Sequence, residues 1–569
     1  DPAGFHFVNA LTELVGSGLG DTFSLAVADV TDVDPTAGIE GLGPLLDDTN
    51  ILGEGEITAK YEFGSLHLKA APGQPLRAGR RYMVVAFDNL LSKATDKEDL
   101  PLPIEVAPVF FLTRSPDPLV NDDGKSNLLT LSDADASLLE QLRQQYNPIF
   151  SALESDIVGI PRERVVMFWT FTTQTIGTWL YKFKKKLVTL SIGPGTSPGT
   201  VEDGAVSGLE YAYKAVLDGS FAGYVALQEP DPEDATPDPS YMSFDEDGTP
   251  DWKAANLPLT ILVPKTHDEI LPPFPVVILQ HGMYGNRNEV LSQADTFLAA
   301  GYAVVSMDLP LHGDRALEGQ ADGAGFFSAD AIATRDHIVE SAFNIVQLIS
   351  YIGRGNSGFK LWLTQATGEP GLLDTDRLYF VGSSLGAMAG VLALAVTDEV
   401  EAAALVAPAG NLTRILVETT DKSFKDPIDE ALAAFGFVPG TPEYKQFLDT
   451  AQALLDRADP VNYARHLGQE RLSESPSLPL FILTAGKDEL MPKSTSKEVI
   501  CASRSEDYPY WKEYNDMCHN FFFHGCSGEE LEPAGQQAAA DIITFFANAG
   551  DGSAIDDVVT PANLNCQEL

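Results

Sequence analysis

The sequence predicts an α/β fold: a mostly parallel sheet with helices on both faces and a helical cap, preceded by a β-rich, sandwich-like module. Three observations predict it. After residue 255, unbroken apolar runs alternate with helical stretches, the pattern of strands buried on both faces. Before about residue 176, β-branched and aromatic residues alternate or cluster between turn signals. Between the two lies EPDPEDATPDPS (229–240), acidic and carrying four prolines. Such a segment is extended and poorly packed, and it divides the chain into domains 1–240 and 241–569.

In the first domain TAKYEFGSLHLKA (58–70), RRYMVVAFD (80–88) and VVMFWTFTT (165–173) read as strands, with PGQPLRAG as turn chemistry before the second. SDADASLLEQLRQQYNPIFSALES (132–155) reads as a helix, with Ser132 placed to cap it and Asp135 to favour its first turn. Helical connectors are expected over 177–189 and 205–218. In the second domain the strand PVVILQHG (275–282) precedes a helix near 288–300 and the strand YAVVSMDLP (302–310). A long helix, 331–352, carries Ile338, Ala342, Ile345 and Ile349 on one face. RLYFVGS (377–383), AAALVAP (402–408), LPLFILTAG (478–486) and YWKEYN (510–515) complete the strands. Residues 411–468, helical and amphipathic, intrude between two of them as a cap. No internal repeat is visible, which argues against a propeller or solenoid.

The chain has 569 residues, enough for two or three cores, and its 44% apolar content is that of a globular protein. Its 82 acidic against 37 basic residues give a formal charge of −45. That field repels nucleic acid and anionic membrane surfaces. No apolar run reaches the roughly 18 residues that a membrane span needs. The chain begins with Asp1 and shows no basic-then-apolar leader, as expected of a processed chain.

The chemistry centres on RLYFVGSSLGAMAG (377–390), a buried strand turning abruptly into a helix of small residues. The pattern Gly-x-Ser-x-Gly falls on Gly382, Ser384 and Gly386. A strand that turns so sharply leaves no room for side chains at the flanks and strains the serine at the apex, exposing its oxygen. Ser383 is one residue out of register and takes no direct role. A nucleophilic serine needs a base, and the base an orienting acid. His519, at the end of the last strand, is the expected base, with His524 as the alternative and His466 as a surface histidine of the cap. Asp488 in LTAGKDELMP is the expected acid, its neighbour Glu489 pointing away. An oxyanion needs two preorganised N–H groups. They are expected from Leu385, after the serine, and from Met283, where Gly282 lets the loop turn in. His281 and His312 read as hydrogen-bonded supporting histidines.

In their order, the strand followed by HGMYG, then DLPLHGD, VGSSLG, GKDELMP and CHNFF resemble an α/β-hydrolase over about residues 255–548. PLRAGRRYMVVAFD and WTFTT in the front half, with DRADPVNYARHL near 456–467, resemble the bacterial virulence-factor lipase family. That resemblance implies a β-rich domain joined to a lipase domain, exported or attached to the cell surface. It implies a serine carboxylesterase or lipase acting through an acyl-enzyme on Ser384, with a lipid, polyester or small ester as substrate. A mobile cap would then shape an apolar acyl pocket from residues such as Ile415, Leu416, Phe435 and Phe437. Two readings compete: a serine peptidase of the prolyl-oligopeptidase type, and a surface binding protein whose hydrolase domain is a relic.

Asp245, Asp247 and Asp251 in DEDGTPD vaguely suggest a calcium loop, but the bidentate Glu at its end is missing and an Asp-Gly hairpin turn fits better. There is no zinc spacing, phosphate loop or dinucleotide fingerprint, and no cofactor is expected. Four cysteines fit two disulfides in an exported protein or four free thiols in a cytosolic one. Topology selects the pairing. Cys518 and Cys526 follow the last strand at one sheet edge, while Cys501 and Cys566 follow helices that run back to the other. Edges about 20 Å apart cannot be bridged, leaving Cys518–Cys526 with Cys501–Cys566.

Overall fold

The computed structural model describes residues 24–566, apart from 35–40, 42–49, 54–55, 63–64, 72–73, 96–100, 104–105, 156–158, 188–189, 191, 195–198, 204–205, 207, 229–240, 245–249, 268–269, 354–356, 469, 473–474 and 527–532. The proline-rich segment 229–240, Asp245 and Asp247 thus lie outside the described residues. The chain forms two compact units that divide between Thr175 and Ile176.

The first unit contains β1 (Leu25–Asp29), β2 (Ile57–Glu62), β3 (Ser65–Ala70), β4 (Arg81–Phe87), β5 (Leu91–Thr95), β6 (Pro101–Pro103) and β7 (Val165–Thr172). β4 is the centre of an antiparallel sheet β1-β4-β7, while β2/β3 and β5/β6 pair as hairpins. The expected helix is Asp133–Leu153, and the Ser132 side chain accepts from the Asp135 amide at 3.2 Å. Phe150 on this helix and Phe110 close an aromatic cluster on Phe168 of β7, with centroids 5.4 and 5.5 Å away.

The second unit opens on the helix Thr178–Leu187. Its strands are β8 (Gly193–Pro194), β9 (Thr200–Asp203), β10 (Ala212–Val225), β11 (Lys253–Pro264), β12 (Phe274–Gln280), β13 (Ala303–Met307), β14 (Leu373–Ser383), β15 (Ala402–Val406), β16 (Leu480–Ala485) and β17 (Tyr510–Tyr514). They form one sheet in the order β17-β16-β15-β14-β12-β13-β11-β10-β8, with β9 paired to β10. The six strands from β13 to β17 through β12 are parallel, and β11 and β10 join antiparallel. This is a mixed α/β architecture with a large, mostly parallel sheet, consistent with an α/β-hydrolase fold.

One expectation is corrected. The stretch 205–218 is not a helical connector, because its second half, from Ala212, enters β10, paired to β11 with Val216 opposite Ile261 and Phe221 opposite Leu257. Alanines, Asp218 at φ 55° and Gly219 disguise that strand, since a bulge between Val216 and Gly219 breaks its alternation. The two compact units divide after Thr175, and the hairpin β10/β11 carries the chain on both sides of residue 240 into one sheet.

Successive residues of β12 feed opposite cores. Val276 and Ile278 join Ile338, Phe343 and Leu385, whereas Val277 and Leu279 join Phe297, Ile542 and Phe545. Each such side chain contributes roughly 1.5–3 kcal/mol on burial. All six parallel strands end at one edge, where the loops after β12, β14, β15, β16 and β17 gather, the usual place for a site in such sheets. Four helices, Leu412–Glu418, Lys422–Ala434, Pro442–Leu455 and Pro460–Ala464, fill the expected cap between β15 and β16. Near Asp251, an isolated antiparallel bridge joins Phe244 and Pro250, and among the described residues no cluster of three His, Cys, Asp or Glu could hold a metal. No helix of the described residues is long and apolar enough to cross a membrane.

Both bridges join the cysteines that topology selected, Cys501–Cys566 with Cα atoms 5.8 Å apart and Cys518–Cys526 at 5.5 Å. Cys501–Cys566 closes a separation of 65 residues, worth about 4 kcal/mol through the unfolded chain. Cys566→Ser is therefore expected to lower the denaturant midpoint markedly while leaving the site geometry in place, since that bridge lies at the opposite sheet edge. Equilibrium unfolding in urea checks this, and an unchanged midpoint contradicts it.

Candidate active site

The turn from β14 into the helix Leu385–Leu394 sets Ser384 at φ 52° and ψ −117°, a conformation that L-residues rarely adopt. The glycines around it have no space for anything larger. A Cβ on Gly382 would meet the Gly386 carbonyl oxygen at 2.5 Å. One on Gly386 would meet the His281 and Gln280 carbonyl oxygens at 2.5 and 2.6 Å, and one on Gly282 would touch Ser384 Cβ at 3.0 Å. The Ser384 amide donates to Val406 O at 2.8 Å, which ties the turn to the end of β15.

The structure brings Ser384, His519 and Asp488 into one hydrogen-bonded chain. Ser384 Oγ lies 2.7 Å from His519 Nε2, and His519 Nδ1 lies 2.8 Å from Asp488 Oδ2. A carboxylate at Nδ1 fixes the proton there, leaving Nε2 to accept from the serine hydroxyl. Asp488 is itself held: its other oxygen accepts from the amides of Leu490 at 3.0 Å and Met491 at 2.7 Å. Ser384 and His519 are both buried. Ser383 is instead the last residue of β14, opposite Val406.

His524 is not part of this chain. Its Nε2 lies 2.6 Å from Glu289 Oε1, and this partner raises its pKa above the ordinary imidazole value. Glu489 contributes its backbone: its carbonyl accepts from the amides of Thr420 and Asp421, both at 3.0 Å. That bond anchors the cap to the loop carrying Asp488. His466 is partly buried in the cap: its Nδ1 bonds the Glu470 carbonyl, and desolvation lowers its pKa.

Leu385 opens its helix, where the first amides have no intrahelical acceptor, and Met283 follows Gly282 beside Ser384. His281 Nδ1 donates to Gly282 O at 2.8 Å, and its Nε2 accepts from the Leu309 amide at 3.1 Å, so the ring supports the loop. His312 lies behind it, 5.1 Å between centroids, with Nδ1 on Pro310 O. Asp308, absent from the sequence reading as a site residue, is fully buried at the end of β13 and pairs with Arg287. It also accepts from the amides of Arg287 and Asp314 at 2.8 and 3.0 Å, pinning the far end of the same loop. An acid directly after an apolar strand was its one sequence signal.

A cavity of about 60 Å³ lies under the cap, lined by Phe327, Ile415, Leu416, Phe424, Leu432 and Met491 among others. Neither Ser384 nor His519 lines it; Met491 links it to the Asp488 loop. Ile415 and Leu416 line this cavity rather than a space at Ser384, Phe435 is 79% exposed, and Phe437 stacks on Phe447 within the cap at 4.8 Å. Phe435 ends its helix just before Gly436 turns the chain outward at φ 90°.

No protein-family model and no curated protein matches the chain. It is similar to the solved acetyl xylan esterase 1 of Thermoanaerobacterium sp. JW/SL YS485, at 16% identity, over 65% of this chain and 92% of that one, with a TM-score of 0.37. For the acetyl xylan esterase of Paenibacillus sp. R4 the values are 16%, 65%, 93% and 0.38. For the acylaminoacyl peptidase of Pyrococcus horikoshii they are 14%, 52%, 39% and 0.32. At these scores the likeness carries no argument about chemistry, which rests on the site's own geometry.

Full burial beside His312 lowers the His281 pKa to about 3. The folded protein therefore keeps this ring neutral while the unfolded chain binds a proton below about pH 6.5. Stability from this group is present above pH 6.5 and is lost as the pH falls towards 3. Urea unfolding between pH 7 and 5 is expected to show a steeper loss in the wild type than in His281→Asn. Equal slopes contradict this.

Proposed function

We propose that the protein is a serine carboxylic-ester hydrolase, a carboxylesterase or lipase. The observation that carries this reading is the continuous hydrogen-bonded chain from Ser384 Oγ through His519 to Asp488 Oδ2, built on a strained turn. His519 Nε2 takes the proton as Ser384 Oγ attacks the ester carbonyl. The tetrahedral oxyanion is received by the Leu385 and Met283 amides. His519 then gives that proton to the leaving alkoxide, which departs as an alcohol and leaves the acyl group on Ser384. Water, deprotonated by His519, attacks the acyl-enzyme; the proton returns to Ser384 and the free acid leaves.

Asp488 orients the imidazole and stabilises the imidazolium without itself taking the proton. The short phrases shared with virulence-factor lipases support the finer assignment to that family. Two disulfides support a place outside the reducing cytosol.

Ser384→Ala is expected to abolish hydrolysis of p-nitrophenyl esters, a loss on the order of 10⁶ in kcat, while Ser383→Ala keeps most of it. Asp488→Asn is expected to fold and to lose roughly 10⁴ in kcat through the wrong histidine tautomer. Assays with matched ester and peptide-amide substrates check the class. Equal activity in the two serine variants, or preference for the amide, overturns the reading.

A further inference from the structure

Four residues separate the expected base, His519, from His524 in the same loop, CHNFFFHGC, bounded by the Cys518–Cys526 bridge. Within it Phe521, Phe522 and Phe523 are buried, whereas His524 is half exposed. The His524 amide bonds Asn520 O at 2.9 Å, so His519 and His524 belong to one compact turn. Two side chains of a distant segment reach this turn. Glu289 Oε1 meets His524 Nε2 at 2.6 Å, and four residues on, Gln293 Nε2 donates to Phe522 O.

That segment continues the loop His281–Gly285. The Glu289 carboxylate folds back over Gly285 so closely that a Cβ there would meet Oε2 at 1.9 Å. Glu289 is largely buried, and among the described residues its Oε2 has no hydrogen-bond partner. A half-exposed ion pair adds little to stability, and a buried, half-satisfied carboxylate detracts from it. Stability is therefore a poor account of why the carboxylate sits there.

We propose that Glu289, through its pair with His524, is a positioning residue that locks the His519 loop to the Met283 loop. Base and oxyanion donor are then held on one frame across 230 residues of chain, with the disulfide closing the loop's far end. This rests on the ester-hydrolase reading above. The groups on the frame are those already described: Asp488 on the Nδ1 side of His519, Ser384 on its Nε2 side, and Glu289 on His524.

A double-mutant cycle on p-nitrophenyl butyrate hydrolysis tests it, using Glu289→Leu, His524→Leu and the double variant. Each single variant is expected to lose about 10- to 100-fold in kcat with KM nearly unchanged, and the double variant no more than either. Glu289→Gln, which keeps an acceptor for the imidazole, is expected to recover most of the loss. Should Glu289→Leu fail to fold, His524→Gln and His524→Leu on the exposed side supply the comparison, the first active and the second impaired. Wild-type kcat in the single variants, or losses that multiply, overturns the proposal. The downfield proton resonance of His519 Nδ1–H gives a readout that needs no turnover. It is expected to be sharp in the wild type and broadened in both single variants, and an unchanged line overturns the proposal. If the wild type hydrolyses no ester, the ester-hydrolase reading fails, and this resonance alone decides the positioning role.

Discussion

Everything at the catalytic edge depends on a backbone held where it would not rest by itself. Ser384 at φ 52° and ψ −117° stores on the order of 1–3 kcal/mol of strain. The conformation persists because three strand ends enclose it: β12 through the Gln280 and His281 carbonyls, β14 through Gly382, and β15 through the Val406 carbonyl. These strands and the wholly buried helix Leu385–Leu394 belong to the most apolar part of the chain. Burial worth tens of kcal/mol over such a core far outweighs the local strain. The serine oxygen is thereby aimed before any substrate arrives.

The neighbouring loops are preorganised by the same means, backbone amides meeting fixed acceptors. Leu490 and Met491 hold Asp488, and Arg287 and Asp314 hold Asp308. The loop with the acid also carries the cap, since the Glu489 carbonyl receives Thr420 and Asp421. The cap's other root is Asp459, fully buried, which accepts from the amides of Asn411 and Leu412 at 2.8 and 2.9 Å. Acid and cap therefore share one hydrogen-bonded support.

The parts of this site that follow chain order were legible in the sequence. Glycines two residues either side of Ser384 state a steric requirement directly, and an acid and a histidine just past the last two parallel strands land at the same sheet edge. Disulfide pairing followed from the same edge argument. What stayed hidden depends on contacts between distant segments. β10 looked helical because its strand character comes from pairing with β11, not from its own alanines and glycine. The fit of Glu289 to His524 spans 235 positions, and no local pattern marks it. Phe435 looked like a pocket residue by composition, yet it caps the end of its helix and faces solvent.

The central claim is that one strained serine, and no other, is activated. A fluorophosphonate, which reacts covalently with a serine whose base and oxyanion donors are in place, tests it most directly. After labelling the folded protein and mapping peptides by mass spectrometry, the account predicts one adduct per chain, on Ser384, lost on denaturation before labelling. An adduct on Ser383 or another serine, or none on a folded protein, would contradict it.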